Sequence, residues 1–87
     1  MDTAIYSQVI ELFKDATKQL DTLSSSANSN SLNAIENIKS DLHAYSTEVA
    51  MFFVAANKEG LAMTQAKYNE ILKKVGEFLN KAKTKLA

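Results

Sequence analysis

Few side chains in this sequence can do acid–base, nucleophilic or metal chemistry, and their spacing does not bring them together. His43 is the only histidine. An imidazole works as a base near neutral pH or as a metal ligand, and either role needs a second group beside it. Its helical neighbours Lys39 and Glu36 do not supply one. Asp41, Tyr45 and Glu48 do not form a ligand set. No His-Glu-x-x-His, Glu-x-x-His or EF-hand loop is present, so a metal site is not expected. The chain has no cysteine, which removes disulfides, thiolate zinc sites and thiol catalysis together. The two glycines, Gly60 and Gly76, lie too far apart for a phosphate-cradling loop. Ser24, Ser25 and Ser26 have no histidine near them in sequence and read as loop residues. The expectation is a non-enzymatic protein with no cofactor and no small-molecule substrate.

The elements that would hold these residues are helices. The 87 residues include no proline, and 46% are hydrophobic. Strands and hairpins rely on Gly, Asn-Gly or Pro punctuation that is missing here. A chain of this length makes one domain with a thin core.

Three amphipathic segments follow. The first spans about residues 3–23, with Thr3 as its cap and a stripe of Ile5, Val9, Ile10, Phe13, Ala16, Leu20 and Leu23. A Ser/Asn-rich stretch, 24–31, then reads as a loop, because these side chains compete for helical backbone bonds. The second segment, about 32–57, starts at a capping box of Asn33 and Glu36 or at Ser31. Ile35, Ile38, Leu42, Tyr45, Val49, Phe52 and Ala56 alternate spacings of three and four along it, a coiled-coil-like seam. Around Met51, Phe53 and Val54 it becomes apolar on nearly every side, as expected of a helix buried between two neighbours. The third segment, about 61–86, carries Leu61, Tyr68, Ile71, Leu72, Val75, Phe78, Leu79, Ala82 and Leu86 out of phase with that seam. The phase slips at residues 57–60, where Gly60 suits a helix C-terminus and Asn57 an N-cap. The fold expected is all-α: an antiparallel three-helix bundle, or a hairpin whose second helix runs on unbroken.

Charge is balanced overall but unevenly spread. Residues 58–87 hold seven of the ten lysines and three of the ten acids. Lysines near the end of a helix complement its dipole. The absence of arginine and the spread of these lysines argue against nucleic acid as a partner. Residues 49–56 form the longest apolar run, far below the roughly 20 needed for a membrane span. The first residues lack a basic, then apolar leader. The expected location is the cytoplasm, or outside it by a route without a cleaved signal peptide.

What remains is an apolar face. Tyr45, Val49, Phe52, Phe53 and Ala56 are the candidate residues for docking a partner helix or a second copy. Adjacent Phe52 and Phe53 point about 100° apart on a helix, so one small bundle hides both only if the second segment is central. A small immunity or inhibitor protein that binds and neutralises a toxin is the alternative.

The stretch Ser31–Leu32–Asn33–Ala34–Ile35, continuing through Tyr45 and Phe52 and then Tyr68, resembles the second helix of WXG-type small helical proteins of type VII secretion. Among these it is most similar to the divergent partners of LXG toxins. The chain carries neither their Trp-x-Gly turn nor their Tyr-x-x-x-Asp/Glu signal: Tyr68 is followed four positions later by Leu72, and Tyr45 by Val49. The resemblance implies a bacterial targeting or chaperone partner that packs its helices against a secreted toxin.

Overall fold

The computed structural model describes residues 3–60 and 64–86, with side chains from Ile5 onward. It contains three helices, α1 (Thr3–Ser25), α2 (Ser29–Lys58) and α3 (Gln65–Thr84), packed as an all-α bundle. The Tyr6 ring meets Phe53 at one end of the α1–α2 pair, and Lys39 meets Asp21 toward the other, so these helices are antiparallel. Lys67 lies over Phe52, and the Ser31 hydroxyl donates to the Lys85 carbonyl at 2.9 Å. α3 therefore runs antiparallel to α2 and parallel to α1. At 1.5 Å per residue α2 is about 45 Å long. It sets the long dimension of a 47 × 17 × 15 Å molecule.

The expected loop at 24–31 is mostly helical. Ser24 and Ser25 turn their hydroxyls back onto the Leu20 and Thr22 carbonyls, at 2.9 and 2.7 Å, and stay within α1. Hydroxyls that satisfy helical carbonyls in this way do not break the helix. Neither Asn33–Glu36 nor Ser31 caps α2. Asn28 does, with its side-chain oxygen accepting the Ser31 N–H at 2.9 Å. That leaves a connection of only three residues, 26–28.

The break between the second and third segments is real, which excludes the continuous-helix alternative. α2 stops at Lys58, and Gly60 adopts φ +74°, a left-handed conformation natural to glycine at a helix end. Asn57 is still helical, and its carbonyl accepts the Gly60 N–H. Thr64 caps α3, its hydroxyl accepting the Lys67 N–H at 3.1 Å. The expected start of the third segment at residue 61, with Leu61, lies outside the described residues, as does the side chain of Thr3.

One core runs the length of the bundle and draws on every helix. Val9, Ala16 and Leu20 come from α1, seven residues from Ile35 to Ala56 from α2, and Ile71, Val75 and Ala82 from α3. No polar or charged residue is buried among those described. Apolar burial and dispersion therefore hold the helices together, with polar groups confined to caps and surface.

Candidate functional site

Four of the five residues expected to face a partner are buried in the bundle itself. Tyr45, Val49, Phe53 and Ala56 all lie in the α2 core stripe. The observed stripe passes from Val49 to Phe53 and then Ala56, where the sequence pattern suggests Val49, Phe52, Ala56. The reason is α1. Tyr6 presents its ring to Phe53 edge-on, with centroids 4.3 Å apart and planes 78° apart, and this favours Phe53 over Phe52 as the inward residue. Phe53 is 3% exposed and Phe52 42%. Tyr45 sits where the three helices converge, against Phe13 of α1 and Phe78 of α3. Burial, helped by the negative charges of Glu70 and Glu48, pushes its phenol pKa above the ordinary tyrosine value.

Phe52 is not a bare anchor either. The Lys67 amine lies 4.6 Å from its ring centroid, and the Phe53 ring meets it edge-on. Lys74 covers Tyr45 in the same manner at 4.6 Å. Lys67, Lys74 and Lys81 are spaced by sevens, which keeps them on one side of α3. These lysines are thus partly aligned rather than spread around the helix, and two of them cap aromatic rings.

The two most exposed large apolar residues among those described lie on the opposite side of α2, while Ile10, Leu32, Phe52 and Leu72 are each about half as exposed or a little more. Met51 and Val54 are 67% and 68% exposed. They share a shallow depression with Thr47, Ala50, Ala55 and Lys58. The expectation that Met51 and Val54 would be sandwiched between neighbours therefore fails, since α1 and α3 both pack on the other side of α2. Ala50 also lines a groove between α1 and α2, with Ile10 (39% exposed) on its far wall. The apolar surface thus continues from the back of α2 over Ala50 to α1. The sequence carried a signal for it: Thr47, Met51, Val54 and Lys58 repeat at spacings of four, three and four. That makes a second stripe opposite the core stripe.

The remaining polar features are local. Lys39 bridges Asp21 at 2.6 Å and Glu36 at 3.7 Å. Its hydrogen bond to Asp21 raises the Lys39 pKa, with burial opposing and the two carboxylate charges assisting. His43 accepts hydrogen bonds at its backbone carbonyl from Ser46 and Thr47. Among the described residues no group of three or more His, Cys, Asp or Glu converges on a point where a metal could sit. No helix among them is long and apolar enough to cross a membrane. No protein-family model matches the chain, and no curated protein or solved structure matches it either.

Proposed function

We propose that this chain is a protein-interaction module that receives a partner helix on the back of α2. The carrying observation is the exposure of Met51 and Val54, side by side on a helix whose opposite stripe already fills the core. Scattered single exposed hydrophobics are ordinary. Here two large ones adjoin, flanked by Ala50 and Ala55, whose small side chains let a second helix approach closely. Thr47 and Lys58 close the ends with polar groups. An amphipathic helix laid along this strip would bury its apolar anchors at three-and-four spacing. A targeting or chaperone partner of a secreted protein would use such a face.

The test is titration of the 15N-labelled protein with a synthetic amphipathic helix, leucine on one side and alternating glutamate and lysine on the other. Amide shifts should concentrate at Thr47–Lys58 and Ile10. They should vanish in the double variant Met51→Glu/Val54→Glu, with its melting temperature unchanged. Shifts centred on another face, or persisting in the double variant, would reject the reading.

A further inference from the structure

Among the described residues Met51 is the one methionine, and it stands 67% exposed in the middle of the strip on the back of α2. A thioether sulfur is a soft nucleophile that needs no deprotonation before it attacks a peroxide, so access decides its reactivity. Access here is open. Thr47, Val54 and Ala55, one turn away on the same face, are too short to fold over the sulfur. The chain has no cysteine and no tryptophan, so no thiol or indole competes for the oxidant. From these observations we infer that Met51 is a modification site, oxidised by hydrogen peroxide to methionine sulfoxide, and that the modification switches off helix docking at this face. The switch rests on the proposed use of the face and adds its regulation.

The step is a two-electron oxidation of sulfur. The sulfur lone pair attacks one peroxide oxygen, an S–O bond forms and the O–O bond breaks. The second oxygen leaves as hydroxide and takes the proton of the transferred OH, so that sulfoxide and water are the products.

The oxygen gained has different consequences in the free and the docked protein. Met51 takes no part in the core cluster, and water solvates its sulfoxide on the free surface, so the fold is untouched. Beneath an apolar helix the same oxygen becomes a buried acceptor in need of a donor. Ala50, Val54 and Ala55 have no side-chain donor, and the Thr47 hydroxyl already donates to the His43 carbonyl at 3.2 Å. The sulfoxide is therefore tolerated before docking and penalised after it.

The folded chain is treated with hydrogen peroxide, and timed samples are followed by peptide mapping, thermal melts and titration with the leucine-faced peptide. Met51 should gain oxygen at a rate within about threefold of methionine in a short unstructured peptide. A rate slower by about tenfold or more would reveal a shielded sulfur and overturn the site. As the Met51 sulfoxide fraction grows, the Kd for the peptide should rise at least about tenfold, with the melting temperature held within about 2 °C. Unchanged affinity at full Met51 oxidation, or a loss that follows the oxidation of Met1 or Met63 instead, would overturn the switch. In a Met51→Leu chain peroxide should leave the affinity at that chain's own starting value; a fall there would overturn the switch as well. Should the unoxidised protein fail to bind the peptide, the docking reading falls and the switch with it, while the mapping still decides the modification site.

Discussion

Adjacent Phe52 and Phe53 separate the two sides of α2. Replacing Phe53 by alanine removes a ring held against Tyr6 within the core and leaves a cavity. The expected cost is about 3–5 kcal/mol. Phe52→Ala removes a half-exposed ring and its contact with Lys67, and should cost no more than about 1.5 kcal/mol. Urea denaturation of the two variants measures the difference; equal losses would contradict the assignment of Phe53 as the inward residue. Titration behaviour is also a residue-scale property. Both Tyr45 and Lys39 have pKa values raised by folding above ordinary values of 10.0 and 10.5. A raised pKa means that the folded state holds the proton more tightly. The stabilisation is whole below the unfolded pKa and is lost as pH climbs through the folded one. The protein should therefore lose stability from about pH 10 upward. Tyr45→Phe should flatten that loss by removing the phenol's share, leaving the share of the half-exposed and solvent-screened Lys39–Asp21 pair. Melting temperatures of both proteins across pH 8–11.5 check this.

At the level of the elements, helix ends separate what the sequence announces from what it hides. The three helices and the break near Gly60 were legible, because proline is absent and the apolar phase slips there. The first connection was not. A run of Ser and Asn suits a loop and a capped helix end equally, and the outcome turned on Ser24 and Ser25 bonding backward and on Asn28 catching Ser31. Asn28→Ala should accordingly cost about 1 kcal/mol, while Asn33→Ala should be close to neutral. Comparative thermal melts decide which asparagine is the cap. The existence of an apolar face was legible too, but not its position: strict three-and-four spacing chose Phe52, whereas the ring of Tyr6 on another helix selected Phe53. The glycines supply a matched pair of tests. Among the described residues, nothing beyond the adjoining stretch of chain lies within 4 Å of where a Cβ would sit on either. Gly76 lies within α3, where alanine should stabilise by about 0.5–1 kcal/mol. Gly60 holds φ +74°, where alanine should destabilise by about 1 kcal/mol. Opposite signs in chemical denaturation are the expected result.

For the molecule as a whole, cooperativity follows from how the core is shared. Its radius of gyration is 14.4 Å, against about 12 Å for a spherical domain of this length. The bundle is one helix layer deep on each side of its axis, so no pair of helices encloses a core without the third. Leu20 of α1, Ile35 of α2 and Ile71 of α3 are all fully buried in the same cluster. A chain of this size has about 4–13 kcal/mol of stability to lose. Ile71→Ala and Leu20→Ala should each remove about 2–5 kcal/mol of it. At about 4–8 °C per kcal/mol, either lowers the melting temperature by about 10 °C or more. Each helix carries one tyrosine, Tyr6, Tyr45 and Tyr68, so its unfolding can be followed separately by a single 13C-labelled ring resonance. In a shared core the Ile71→Ala substitution on α3 should bring all three resonances down together, Tyr6 on α1 included. Loss of the Tyr68 signal at lower temperature than Tyr6 and Tyr45 would mean that α1 and α2 stand as a hairpin on their own. The back of α2 would then be presented by a two-helix unit, with α3 serving as a detachable cover for the Tyr45 and Phe52 rings.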